Sequence, residues 1–171
     1  PLTAVLADLG KGKALDLAIC RADKKGALAI EIRYDLNPQT LADSGTTTFT
    51  LKGKEGDRPS GLLGVDLNLD GRTDFVALFD YADPVILLQT DSGRWETLAT
   101  AEGMLEGLLT GVRAGNVLAA PLGPEGKVDL LITKENYARA VRLDRENRLV
   151  IDHQFNARNQ RSRLRAALVA D

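Results

Sequence analysis

The nine residues Asp66-Leu67-Asn68-Leu69-Asp70-Gly71-Arg72-Thr73-Asp74 set oxygen-bearing side chains at alternating positions around a glycine. Asp or Asn at the first, third and fifth positions of a tight loop offers three oxygens to a hard cation such as Ca²⁺, which takes about six to eight. Gly71 in the sixth position lets the chain turn sharply, and Arg72 in the seventh would add its backbone carbonyl. A helical Ca²⁺ site would need a bidentate Glu at the twelfth position, where Ala77 stands. Instead Asp74 closes the loop and leads straight into Phe75-Val76-Ala77-Leu78-Phe79, an apolar run short enough to be a buried strand. The pattern predicts a strand–loop–strand Ca²⁺ site built from Asp66, Asn68, Asp70, the Arg72 carbonyl and Asp74.

The loop recurs in weakened form. Asp8-Leu9-Gly10-Lys11-Gly12-Lys13-Ala14-Leu15-Asp16 keeps the nine-residue span and enters Leu17-Ala18-Ile19-Cys20. Pro121-Leu122-Gly123-Pro124-Glu125-Gly126-Lys127-Val128-Asp129 enters Leu130-Leu131-Ile132, and the last eight residues, from Leu164 to Asp171, mirror Leu2 to Asp8. The loops begin at positions 8, 66, 121 and 171, so 58, 55 and 50 residues apart. That length is too great for one hairpin and suits a four-stranded meander, the unit of a propeller blade. In the second unit strands are expected at 62–65, 74–79, 84–89 and 94–99, with Asp91-Ser92-Gly93 as a turn. In the third they are expected at 117–120, 128–133, 138–143 and 148–152, with the turn at Asp144-Arg145-Glu146-Asn147. The first unit offers 27–34 and 46–51, separated by a polar loop at 35–45. Residues 101–116 carry Met104, Leu105, Leu108 and Leu109 at helical spacing but also Gly103, Gly107 and Gly111, leaving a short helix or an extended connector open.

These features predict an all-β chain forming about three four-stranded antiparallel blades of a β-propeller. The units lie at approximately 1–59, 60–116 and 117–162, with 163–171 the first strand of a further blade. Three blades do not close a ring, since propellers use about four to eight. The expectation is a segment of a larger propeller, with closure against a second copy as the alternative.

The sequence resembles the FG-GAP/VCBS repeat family, the propeller blades of integrin α-subunit heads and of many bacterial secreted proteins. The resemblance rests on Asp66-x-Asn68-x-Asp70-Gly71-x-x-Asp74 between two apolar strands and on its repetition along nearly the whole chain. It implies Ca²⁺ bound by Asp66, Asn68, Asp70, Asp74 and the Arg72 carbonyl. Gly10 and Gly12 replace two ligands in the first loop, and Pro121 replaces the leading Asp in the third, so both are expected to fold as turns without metal. The FG and GAP signatures are absent, with Ser60-Gly61-Leu62 and Leu78-Phe79-Asp80 roughly where they would fall. The match is therefore to the repeat class rather than to integrins.

A chain of 171 residues with 44 % hydrophobic content can bury a sizeable core. A net charge of −2 gives no electrostatic reason to expect nucleic acid or an anionic membrane as partner. No apolar run approaches the roughly 20 residues of a membrane span. The single Cys20 permits no internal disulfide. The compartment argument therefore falls to the metal: weak repeat-type loops stay filled where Ca²⁺ is millimolar. Together with the resemblance, this places the chain in the extracellular space, the periplasm or at the cell surface.

Other residues have plainer roles than their chemistry first suggests. His153 stands beside Asp152, with Ser162 nine positions on, but neighbours in a strand face opposite ways, so the acid is not expected to orient the imidazole. Cys20, in an apolar run, reads as an inert buried thiol. Gly10-x-Gly12 lacks the third glycine and the helix of a dinucleotide loop. The four arginines between Arg158 and Arg165 could grip a phosphate but fit a solvated loop better. Trp95 and Tyr81 are read as packing aromatics rather than ligand-stacking ones.

The functional expectation is a non-catalytic, Ca²⁺-stabilised scaffold that displays loops 35–45, 101–116 and 156–163 to a protein or glycan partner, or to other subunits of an assembly. The alternatives are the propeller domain of a secreted hydrolase or lyase, and a Ca²⁺-dependent lectin. The first strands of the units, Leu-Thr-Ala-Val-Leu, Leu-Leu-Gly-Val and Val-Leu-Ala-Ala, line a channel without acid–base pairs.

Overall fold

Period-two alternation and apolar runs, punctuated by glycine and aspartate turns, give strands. The computed structural model describes residues 2–10, 14–22, 25–51, 56–98, 107–122, 128–159 and 164, and among these there is no helix. Twelve strands follow in order: β1 (Leu2–Ala7), β2 (Asp16–Ala22), β3 (Leu28–Tyr34), β4 (Gly45–Leu51), β5 (Pro59–Val65), β6 (Asp74–Phe79), β7 (Val85–Gln89), β8 (Trp95–Thr97), β9 (Val117–Pro121), β10 (Val128–Lys134), β11 (Tyr137–Leu143) and β12 (Leu149–Asn156). They form three four-stranded antiparallel meanders, β1–β4, β5–β8 and β9–β12, each strand pairing with its sequence neighbour. The helix-or-connector question at 101–116 resolves to turns over the described part, 107–116. Residues 101–106, Ser162 and nearly all of the repeat at 164–171 lie outside the described residues.

Two cores hold the sheets face to face. The first joins Ala18, Cys20, Ile30 and Ile32 of the first sheet to Leu62, Phe75, Ala77, Phe79 and Leu87 of the second. The second joins Val65, Val76, Leu78, Ile86 and Leu88 to Leu130, Ile132, Val141 and Leu143 of the third. The middle sheet is thus covered on both faces, and all six residues of β6 are buried. This explains the unbroken apolar run after Asp74, because a strand packed on both sides has no polar alternation to show. Trp95 bridges the first two sheets, stacking on Phe75 at 4.7 Å between ring centroids and meeting Phe49 edge-on at 5.9 Å.

Tyr81 differs from the packing role expected of it. It is 84 % exposed, with the Arg113 guanidinium 5.7 Å from its ring centre, because it sits in the solvent-facing β6–β7 turn rather than in a strand. β12 also continues four residues past the expected end, and a bulge opposite Ala140 and Val141 breaks its alternation at Asp152. Among the described residues no helix is long and apolar enough to cross a membrane.

Antiparallel connectivity sorts the loops by end. The β1–β2, β3–β4, β5–β6 and β7–β8 connections share one end, whereas β6–β7 and β8–β9 lie at the other. The expected contact loops are therefore divided. Loop 35–45 lies beside the metal-type loops, while 107–116 and residues 157–159 lie opposite.

Candidate metal centre

The loop from Asp66 to Asp74 is clamped at its base by the antiparallel pair Val65↔Asp74. Leu67 anchors it from beneath, only 1 % exposed, and the chain reverses through positive φ at Leu69 (61°) and Gly71 (83°). Glycine takes that conformation without steric cost, and at Gly71 no atom lies within 4 Å of where a Cβ would stand. The strain left at Leu69 is held by the hydrogen bonds around it.

Those bonds turn the acidic side chains inward on the loop. The Asp70 amide donates to Asp66 Oδ1 at 3.1 Å and to Asn68 Oδ1 at 3.2 Å, and the Gly71 amide donates to Asp66 Oδ2 at 2.9 Å. Asp70 Oδ1 accepts the Arg72 amide at 2.9 Å. Its Oδ2 accepts Asn68 Nδ2 at 2.9 Å and Arg72 Nη2 at 2.6 Å. The Arg72 guanidinium also donates through Nε to the Gln89 carbonyl at 3.1 Å and meets Asp91 at 2.6 Å. One cation thus spans Asp70 and Asp91, tying the loop to the β7–β8 turn.

Asp74 sits deepest. Its carboxylate is fully buried and accepts the Leu67 amide through Oδ2 and the Gln89 amide through Oδ1, both at 3.0 Å. Its carboxyl is raised to about 6: burial pushes it up most, the two amides pull the other way, and the charges of Asp70 and Asp66 add a smaller rise. A cation beside these three carboxylates would reverse that balance. The donors offered are all hard oxygens, as Ca²⁺ prefers, so the residue chemistry fits the ion. Arg72 is the competing positive charge. Among the described residues no three of His, Cys, Asp and Glu converge as a metal-holding group, while the side-chain oxygens of Asp66, Asn68 and Asp70 face the loop's own donors.

The first loop repeats the deepest part of this arrangement. Asp16 is buried and accepts the Leu9 amide at 2.9 Å and the Asp35 amide at 2.8 Å, the same two bonds as at Asp74. The ninth-position aspartate is therefore a structural acceptor that ties its loop to the end of the third strand. In the third sheet Asp129 is also fully buried, but neither of its oxygens has a hydrogen-bond partner among the described residues, and burial pushes its carboxyl upward. Residues 11–13 and 123–127 of the two weakened loops lie outside the described residues. The roles of Gln89 and of the Arg72 side chain carry no motif; only the repeat position of Asp16 and Asp74 could have pointed to the shared bonds.

Two clefts of about 510 Å³ open at this end. One lies between the first two loops and the β7–β8 turn, lined by Asp8, Gly10, Arg72, Thr90 and Asp91. The other runs from Asn68 and Leu69 to Arg142 and Asp144.

The expectation that Asp152 and His153 face apart is corrected. His153 Nε2 stands 3.3 Å from Asp152 Oδ2, because His153 pairs with Ala140 and Ile151 with Val141, which leaves Asp152 as the extra residue of the bulge. Asp152 Oδ1 is held by Arg142 Nε at 3.1 Å, so Arg142, Asp152 and His153 form a partly buried polar cluster. Cys20 is fully buried, and desolvation pushes its thiol up to about 11. Comparison of the chain with family models, with curated proteins and with solved structures gives no match.

Proposed function

We propose that this chain is a Ca²⁺-stabilised β-propeller segment, its three meanders serving as successive blades, that acts as a non-catalytic module for protein or glycan recognition. The observation that carries the reading is the Asp66–Asp74 loop. It offers an all-oxygen donor set around Gly71, with a buried carboxylate, Asp74, whose proton affinity is raised chiefly by burial and in smaller part by Asp70 and Asp66. The resemblance to FG-GAP/VCBS repeats supports it, as does the stacking of three meanders at nearly regular spacing. Asp66, Asn68, Asp70, Asp74 and the Arg72 carbonyl would hold the ion. Its contribution would be to neutralise three carboxylates and to pin the turn between β5 and β6. Such a loop is weak and suits an extracellular, periplasmic or cell-surface setting, where Ca²⁺ is abundant. Partner contacts are assigned to the metal-loop end, where loop 35–45 and both clefts lie together.

Calorimetric titration with Ca²⁺, paired with thermal melting, tests this. One stoichiometric site that raises the melting temperature and disappears in Asp66→Ala is the expected result. A folded chain with no Ca²⁺ response would overturn the metal reading and the compartment argument with it.

A further inference from the structure

The last strands of the three meanders, β4, β8 and β12, are sheet edges, each paired with a single neighbour. Unpaired N–H and C=O groups along such an edge invite another chain, and folded proteins blunt them with short strands, charges, proline or bulges. β8 has only three residues, with Glu96 exposed at its centre. β12 carries a bulge and, beside it, Asp152 and His153. β4 has none of these devices. It runs for seven residues, Gly45-Thr46-Thr47-Thr48-Phe49-Thr50-Leu51, without a charge or a proline. Its pairing with β3 keeps register from Leu28↔Leu51 to Tyr34↔Gly45. Among the described residues nothing hydrogen-bonds to its free side.

The sequence of β4 also matches itself in reverse. Thr46, Thr48 and Thr50 are exposed in a row on one face of the strand. Two copies aligned antiparallel about Thr48 set Thr48 opposite Thr48 and Thr46 opposite Thr50, and directly opposed threonines stabilise a strand pair. On the other face Thr47 meets Phe49, a β-branched residue against an aromatic one. Phe49 is half-buried, packed on the first core and meeting Trp95 edge-on at 5.9 Å. The register is thereby specified, because a slip of one residue would set the threonine face of one copy level with the Phe49 face of the other.

We propose that β4 pairs antiparallel with β4 of a second copy of this chain, about a two-fold axis at Thr48, and joins two four-stranded sheets into one of eight strands. The contact is isologous, so it closes as a dimer and does not propagate into a fibre. It extends across the join the same antiparallel pairing that links β3 to β4.

Light scattering over a dilution series tests this, with circular dichroism to verify folding. A contact confined to one edge is smaller than a standard interface, so a Kd on the order of 100 µM is expected. The mass should rise from 18.4 kDa toward twice that value as the concentration passes this range. Replacing Thr46, Thr48 and Thr50 together by Lys sets like charges opposite one another at all three pairs, and should weaken the dimer about 100-fold. The corresponding triple Glu variant should behave alike, and the two mixed in equal amounts should regain the dimer. Thr48→Lys and Thr48→Glu alone, at the position that pairs with itself, repeat the comparison should a triple variant unfold. Leu6→Glu, on the open face of the same sheet and away from β4, should leave the dimer intact. A wild-type mass that stays at 18.4 kDa throughout would overturn the proposal. So would a dimer that survives the Lys substitutions, or one that Leu6→Glu abolishes, since either places the contact elsewhere.

Discussion

Asp74 pays for its burial in proton affinity, and that gives the residue scale a measurable signature. Its carboxyl is raised from 3.8 to about 6, so the folded chain binds this proton more tightly than the unfolded chain between those values. Stability in the presence of a chelator should therefore be greatest at the acid side of the window. It should fall as pH rises from about 4 to 6, by up to about 3 kcal/mol, and level off above it. Chemical denaturation across that range checks the slope, and Asp74→Asn should remove it; a slope of the opposite sign would mean that the two amide bonds outweigh burial. Arg72 gives a second residue-scale prediction. Its guanidinium engages Asp70 and Asp91 at 2.6 Å each, so Arg72→Ala frees a ligand and removes a like charge while keeping the backbone carbonyl. Ca²⁺ binding should tighten about threefold to tenfold, consistent with two partly exposed pairs of up to about 1 kcal/mol each. Weaker binding in Arg72→Ala, measured by calorimetry, would instead make the arginine an organiser of the loop. The oxygen donors were legible in the sequence because they lie within nine residues. The hold on Asp74 by Gln89 was not, because it depends on where β7 ends beside β6.

Gly61 shows how a strand can be fixed by what crosses it. A Cβ there would stand 2.9 Å from the Ala114 Cβ and 3.0 Å from Leu78 Cδ1, where β5 is bulged and the β8–β9 connector passes over it. Gly61→Ala should destabilise the fold by about 1–3 kcal/mol through overpacking, whereas Gly45, with nothing within 4 Å of its Cβ position, should tolerate alanine far better. Paired thermal melts of the two variants make the comparison. Strands with two covered faces or clean alternation were readable from side chains alone, as β6 and β10 show. The edges were less so. β12 runs on to Asn156 because Ala138 and Tyr137 of β11 offer it backbone partners, although its own residues from Asp152 onward show no apolar pattern. β5 starts at Pro59, before the expected strand, because the bulge after Pro59 restores the register with Phe79.

At the scale of the whole molecule the middle sheet couples the two cores. Phe75, Ala77 and Phe79 belong to one core, and Val76 and Leu78 to the other, so neither core can open without uncovering a face of β6. The outer sheets each have one face outside both cores, and their edge strands alternate into solvent, as at Leu2, Leu6 and Phe155. Local opening should therefore begin in β1 and β12 and reach β6 only when the molecule unfolds as a unit. Amide hydrogen exchange should show the Phe75–Leu78 amides as the slowest, with a protection free energy equal to the global unfolding value. Those of β12 beyond Asp152 should exchange orders of magnitude faster. Ca²⁺ would stabilise the folded state as a whole by binding where β5 meets β6, so it should slow β6 together with the global rate, while β12 keeps the fast exchange of its own local opening. If β6 exchanged as fast as β12, the cores would be opening independently, and the sheets would behave as separate units on a common chain.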